Sequence, residues 1–155
     1  MPRILLTIAG VLLFQPLVLG AESAPSPAAT YDPGLAKALG ADERGMRNYV
    51  LVVLKTGPHR MPDGAERDAM FRGHFDNMRR LTEAGKLVFA GPLDQVDGWR
   101  GLFIFAVSDV AEAQALVATD PTVAQGELVP EYHRLYGSAA LMQVPGIHAR
   151  IEPPH

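Results

Sequence analysis

The stretch Tyr49-Val50-Leu51-Val52-Val53-Leu54 decides the fold. It is a short run of β-branched and apolar residues that stops before Gly57-Pro58, and such a run predicts a strand buried on both faces. A second run of this kind is Leu102-Phe103-Ile104-Phe105-Ala106-Val107. Neither run alternates polar with apolar residues, so we expect both faces of their sheet to be covered.

The segments around these two strands complete a recognisable order. Apolar residues recur at spacings of three and four over 65–84, which predicts a helix that ends at Gly85. An alanine-rich segment from Ser108 or Asp109 to about 119 predicts a second helix, which ends at Asp120-Pro121 because a residue before proline avoids the α region. Strands are predicted at 87–90 and 128–136, with a short edge strand at 138–144.

The predicted order is therefore βαββαβ, the ferredoxin-like arrangement of an α+β domain. It implies a four-stranded antiparallel sheet with two helices on one face. Two helices leave the other face bare, although strands one and three are apolar on both sides. A second copy of the same sheet, related by two-fold symmetry, is the simplest cover. We therefore expect a homodimer packed sheet to sheet.

The N-terminal residues predict export. Arg3 is followed by an apolar run to Gly20 and then by small residues, which is the layout of a signal peptide at 1–21. An uncleaved membrane anchor is the alternative, although the run is short for a span. We expect a secreted or periplasmic protein with no membrane span after cleavage. Residues 22–46 form a Pro/Ala-rich spacer with a possible short helix, 47–138 the domain and 139–155 a C-terminal extension.

Composition excludes several classes of protein. The 155 residues suit one domain and contain no cysteine, which excludes a disulfide scaffold, a thiol nucleophile and a Cys-ligated metal. A net charge of -3 argues against nucleic acid as a partner. The five histidines have no metal-ligand spacing, and no phosphate-binding glycine loop is present, so we expect neither a metal nor a cofactor.

His74 and Asp120 are the best candidates for chemistry. His74 lies three residues after Phe71 and four before Met78, near the apolar stripe of the first helix, where a buried histidine with one hydrogen bond is the ordinary interpretation. Asp120 follows the second helix, where the dipole disfavours a carboxylate. It is either a helix-stopping Asp-Pro turn or the partner of a cation such as His74. A carboxylate beside an imidazole fixes its tautomer, which suits general acid–base work.

The chain from about 46 to 136 resembles the YciI-like (YCII-related) proteins. The order and spacing of five pieces carry the resemblance: Gly73-His74-Phe75-Asp76-Asn77-Met78, Ala84-Gly85-Lys86-Leu87, Ala90-Gly91-Pro92-Leu93, Gly101-Leu102-Phe103-Ile104 and Ala118-Thr119-Asp120-Pro121. The resemblance implies a ferredoxin-like fold, a dimeric α+β barrel similar to that of enzymes such as muconolactone isomerase, and a histidine and an aspartate lining a small pocket. Those two correspond to His74 and Asp120. The chain departs from the family in its export signal, its spacer and Glu127-Leu128, where an aromatic residue is frequent.

Four further residues are candidates for ligand binding. Trp99 and Arg100 follow a turn and can gate the pocket, although an exposed hairpin tip is an equal interpretation. Tyr49 can line the pocket from the first strand. His133 lies on the fourth strand, where polar pairing at an interface is the favoured alternative.

The resemblance leaves the substrate unassigned. We expect cofactor-free proton transfer on a small organic molecule, of the isomerase, lyase or hydrolytic dehalogenation type, with His74 as base or acid and Asp120 as its orienting partner. One alternative is a module that binds a small molecule without turnover. The other is a dimeric domain whose His–Asp pair is only structural.

Overall fold

The computed structural model of the protein describes residues 30–153, and the folded unit begins at Asp32. The predicted signal peptide and the first part of the spacer lie outside the described residues. No helix within 30–153 is long and apolar enough to cross a membrane. The helices and strands follow in this order: α1 (Pro33–Ala38), β1 (Met46–Thr56), α2 (Ala65–Glu83), β2 (Leu87–Pro92), β3 (Trp99–Phe105), α3 (Val110–Val117), α4 (Pro121–Ala124), β4 (Leu128–Ser138) and α5 (Val144–Ile151).

The four strands form one open antiparallel sheet in the order β2-β3-β1-β4. The two long apolar runs of the sequence, β1 and β3, are its central strands, as their composition predicts. The predicted α+β class and the ferredoxin-like βαββαβ order are confirmed. The described structure is of a single chain.

The core lies between one face of the sheet and the helices. Val50, Val52 and Leu54 of β1 point to this face, together with Phe103 and Phe105 of β3. Leu81 of α2 and Ala113 and Val117 of α3 close the core from the other side. Alternate residues of β1 and β3 supply the core, so the sheet has a well-defined inner face.

Helix α2 ends as its sequence predicts. Gly85 adopts a φ of 67°, which favours glycine, and its N–H donates to Thr82 O. The N–H of Lys86 donates to Leu81 O, so the two bonds form a Schellman motif. The chain then reverses directly into β2.

The segment before the sheet does carry the short helix that the spacer composition allows. Asp32 caps α1 by accepting a hydrogen bond from the Leu35 N–H at 2.9 Å. Arg47 Nη1 donates to Leu39 O at 2.9 Å, which ties the end of this segment to the start of β1. No residue of α1 itself is buried.

The sequence missed helix α4 and therefore gave the wrong environment for Asp120. Helix α3 ends at Val117, and Asp120 is the N-cap of α4, with Pro121 in its first turn. A carboxylate is favourable at a helix N-terminus, where unpaired N–H groups need an acceptor. The unfavourable dipole expected at Asp120 is thus replaced by a favourable one.

The edge strand predicted at 138–144 is wrong. After β4 the chain forms a 3-10 helix at Ala139–Gln143 and then α5. Ser138 Oγ accepts a hydrogen bond from the Ala140 N–H at 3.2 Å, and Pro145 occupies the first turn of α5. The Ser138 cap and Pro145 both favour helix over strand. The pattern of apolar and polar residues in the segment does not register either effect.

The second face of the sheet is partly covered by the chain itself. Tyr49 and Val53 are 0% and 4% exposed, and Tyr49 Oη donates to Ser138 O at 2.9 Å. Leu51, Leu102 and Ile104 on the same face are half-buried. The homodimer stays a prediction, but the face left for a partner is smaller than the sequence implies.

Candidate functional site

Helix α2 carries His74 to the inner face of the sheet. The buried residues of α2 are Met70, His74, Asn77 and Leu81, at helical spacings of four, three and four. The His74 ring is stacked on Phe103 with centroids 5.9 Å apart and meets the edge of Phe75 at 5.3 Å. Packing therefore fixes the plane of the imidazole.

His74 and Asp120 are brought into direct contact. Nδ1 of His74 lies 2.6 Å from Oδ2 of Asp120, and the two residues are 8% and 1% exposed. The other oxygen, Oδ1, accepts hydrogen bonds from the backbone N–H of Thr122 at 2.9 Å and from its hydroxyl at 2.7 Å. Each carboxylate oxygen thus has a partner, and α4 holds the carboxylate in place.

The carboxylate of this pair is ionised at neutral pH. Burial raises the pKa of Asp120, but the hydrogen bond and charge of His74 and the two hydrogen bonds from Thr122 outweigh burial, so that its pKa is lowered. An ionised carboxylate can only accept, so Nδ1 of His74 carries the proton of the bond. The second ring nitrogen, Nε2, is left for other chemistry.

A cavity of about 310 Å³ lies beside the His74 ring. His74 lines this cavity and Asp120 does not. Nε2 has no hydrogen-bond partner within the described chain and is not among its buried unpaired atoms, so it keeps some exposed surface. The remaining walls are largely apolar: Leu54, Phe71, Phe75, Met78, Phe103 and Leu128.

Phe75 departs from the predicted apolar stripe of α2. Phe75 is one of the apolar residues at spacings of three and four that predict the buried side of this helix, but its side chain is 57% exposed. It lines the cavity beside His74 and also a larger groove of about 650 Å³ between α2, β2 and α5. The exposed aromatic residue is thus a wall between two concave surfaces.

Of the four predicted ligand-binding residues, the structure brings Arg100 to the cavity and places the other three elsewhere. Trp99 is adjacent in sequence but does not line the cavity. Tyr49 is buried under the opposite face of the sheet. His133 lies on the opposite face as well, where its Nε2 is 2.8 Å from Oε1 of Glu131. Alternation along β1 and β4 puts these two side chains on that face.

Sequence reasoning missed a second buried ion pair near the cavity. Arg67 Nη2 donates to Glu127 Oε1 at 2.8 Å, and the Met61 N–H donates to Oε2 at 2.7 Å. The guanidinium of Arg67 also covers the ring of Phe71. One signal for this pair is an arginine in the first turn of α2, where the helix dipole disfavours a cation unless a carboxylate is near.

Glu127 is charged despite its burial. Its side chain is 1% exposed, and burial raises its pKa, but the hydrogen bonds from Arg67 and Met61 and the charges of Arg67 and Arg100 leave its pKa lowered.

Among residues 30–153, no group of three His, Asp or Glu side chains is placed to hold a metal ion.

Comparison with known proteins identifies a family. A family model described as the YCII-related domain matches residues 48–132, which span more than half of the chain and include His74 and Asp120. The chain matches none of the curated proteins.

Proposed function

The chain belongs to the YCII-related domain family, and from that premise we propose that it carries out cofactor-free acid–base chemistry on a small organic molecule. The molecule binds in the cavity beside His74. His74 is the catalytic residue, through Nε2. Asp120 is a positioning residue, because it contacts the histidine and does not line the cavity.

One observation supports this proposal above the others: the two nitrogens of His74 have different surroundings. Nδ1 is held at 2.6 Å by a buried carboxylate, whereas Nε2 has no hydrogen-bond partner among the described residues and belongs to a ring that lines an apolar cavity. With the proton on Nδ1, Nε2 carries a lone pair that accepts a proton from a bound molecule. A general base must have such a lone pair within reach of its substrate.

The proposed reaction moves a single proton and needs no electron acceptor. Nε2 takes a proton from the substrate, and the electron pair of the broken bond stays on the substrate as an anion. Asp120 stabilises the imidazolium that forms. Nε2 then returns the proton to a second atom of the substrate, which gives an isomer, or to a leaving group, which gives elimination.

Proton exchange in D₂O tests the proposal. Small ketones, enols and lactones are incubated with the protein, and loss of a C–H signal is followed by ¹H NMR. We expect exchange with the unmodified protein and a fall of about 10²–10⁴-fold for His74→Gln. His59→Gln is the matched control, because His59 is exposed and lines neither cavity. Equal exchange by the two variants would contradict the proposal.

A structural role for the pair is the alternative that a specific observation favours. Asp120 already has a task, because it caps α4 through Thr122. A binding module would keep the cavity and lack turnover. If His74→Gln unfolds the chain and no ligand stabilises the unmodified protein, the pair is structural. If a ligand binds and no proton exchanges, the domain is a binding module.

We also propose that the mature protein is an exported homodimer. The layout of residues 1–21 supports export, and mass spectrometry of the mature N-terminus tests it; an intact Met1 would contradict cleavage. Half-buried Leu51, Leu102 and Ile104 support sheet-to-sheet association. Analytical ultracentrifugation is expected to give a dimer at micromolar concentration, and a clean monomer would contradict this.

A further inference from the structure

Arg100 brings a positive charge to the cavity, and no side chain of the described residues forms a hydrogen bond or ion pair with it. The side chain is half-buried and lines the same cavity as His74. It makes no hydrogen bond or ion pair with any residue of the described chain. A guanidinium has five N–H donors in a fixed fork, so a half-buried one without an acceptor is suited to an incoming anion.

The neighbouring carboxylate, that of Glu127, does not hydrogen-bond to Arg100. The charge of Arg100 contributes to the lowered pKa of Glu127, so the two groups are close enough to interact. Both oxygens of Glu127 already accept hydrogen bonds, from Arg67 and from the Met61 N–H. Arg67 is in turn held by Glu127 and lies 3.5 Å from Asp63. Arg100 is therefore left without a hydrogen-bonded acceptor in residues 30–153.

The loop that leads to Arg100 has the backbone of a binding loop. Gln95, which also lines the cavity, has a φ of 69°, and Asp97 has a φ of 54°. Non-glycine residues rarely adopt this left-handed region, and such strain clusters at ligand sites. Hydrogen bonds from the Leu93 N–H to Arg100 O at 3.0 Å and from the Gly98 N–H to Gln95 O at 3.2 Å hold the loop closed.

We propose that Arg100 binds the acidic group of the substrate, and that the substrate is a small monocarboxylate with an apolar body. This inference rests on the proposed function, since it names the substrate class for the same cavity. Arg100 and His74 are the ionisable side chains among the described residues that line the cavity. One carboxylate satisfies one guanidinium fork, and the aromatic walls suit an apolar remainder.

Binding of matched acids and amides tests the inference. Isothermal titration compares acetate, butyrate, benzoate and phenylacetate with their amides, and with inorganic phosphate. We expect at least one carboxylate with an apolar body to bind tenfold or more tightly than its amide. Binding of phosphate more tightly than any of the four carboxylates, or no preference for any acid over its amide, would overturn the inference.

Variants assign the preference to Arg100. Arg100→Gln is expected to weaken the preferred carboxylate at least tenfold and to leave its amide unchanged. Arg100→Lys keeps the charge and loses the fork, so it gives an intermediate affinity. Arg79→Gln is the matched control, because Arg79 is exposed, pairs with Asp76 and does not line this cavity. Circular dichroism confirms that each variant is folded. Unchanged binding in folded Arg100→Gln would refute the assignment.

The same proteins separate this inference from the proposed function. If carboxylates bind through Arg100 and the unmodified protein exchanges no proton, the binding inference stands and proton transfer fails. If neutral ketones exchange protons equally in the unmodified protein and in Arg100→Gln, and no acid is preferred over its amide, proton transfer stands and this inference fails.

Discussion

Asp120 Oδ2 lies 2.6 Å from His74 Nδ1, while Oδ1 of the same carboxylate caps the next helix through the Thr122 N–H at 2.9 Å. One side chain thus fixes the orientation of the imidazole and the start of α4. The two tasks use different oxygens, and for this reason substitutions can separate them.

Asp120→Asn is expected to separate charge from capping. An amide oxygen still accepts the Thr122 N–H, so the cap is retained, whereas the negative charge beside His74 is lost. We expect a loss of about 1 kcal/mol in the free energy of unfolding and loss of the proposed proton exchange. Asp120→Ala removes cap and partner together and is expected to cost about 3 kcal/mol. Urea unfolding measures both variants, and equal losses would contradict the separation of the two tasks.

The Arg67–Glu127 pair is expected to be costly to break and inexpensive to replace. Arg67→Met leaves the buried carboxylate of Glu127 without its cation, which is expected to cost about 3–5 kcal/mol. Changing both residues, in Arg67→Met/Glu127→Leu, is expected to recover most of that loss, because no buried charge remains. Lys86→Met, which breaks an exposed pair with Glu112, is the control and is expected to change stability by less than about 1 kcal/mol. A double variant no more stable than Arg67→Met would contradict this account.

Acid is expected to destabilise the protein through two buried carboxylates. The folded-state pKa values of Asp120 and Glu127 are lowered, so the folded chain binds fewer protons than the unfolded chain at acid pH. Their contribution is present at neutral pH and is lost as the pH falls below about 5, with a slope of up to about 1.4 kcal/mol per pH unit for each group. Urea unfolding from pH 7 to pH 3 measures this slope. Asp120→Asn and Glu127→Gln should each flatten it, and unchanged slopes would count against the assignment.

Gly57→Ala is expected to disturb the support of Glu127. A Cβ atom on Gly57 would lie 2.0 Å from the backbone oxygen of Gly126, and the Gly57 N–H donates to Glu127 O at 2.8 Å. The two backbones must therefore separate, at an expected cost of about 2 kcal/mol or more. Gly146→Ala, in the exposed part of α5 with no atom within 4 Å of its Cβ position, is expected to be neutral or to stabilise by about 0.5–1 kcal/mol. Thermal unfolding compares the two, and a Gly57→Ala variant as stable as Gly146→Ala would contradict the close approach.

The central strands and α2 could be predicted from sequence because each has a strong local signal. The apolar runs at 49–54 and 102–107 are too short for helices and are bounded by turns, and the stripe of α2 has a helical period that ends at a glycine. The contact of His74 with Asp120 follows from the family resemblance; the other argument for it, an unfavourable helix dipole at Asp120, is wrong because Asp120 caps the start of α4. The family is confirmed by the match over 48–132.

The parts that sequence missed depend on short segments and distant partners. Helix α4 is four residues long and is set by one aspartate and one proline, whose pattern also fits the end of the preceding helix. The 3-10 helix after β4 has no amphipathic period to detect. The pairing of Arg67 with Glu127 joins residues 60 positions apart, and no local pattern specifies such a contact.

Helix α4 is a single turn. The Asp120 side chain that accepts the Thr122 N–H at its start also holds the ring of His74. Opening of this turn need not unfold α2 or the sheet, because short elements open locally at lower free energy than the whole domain. Each opening releases the Thr122 N–H from Asp120 and frees the carboxylate to leave His74. The hydrogen–deuterium exchange rate of this one backbone amide therefore reports how often the turn that holds Asp120 in place opens.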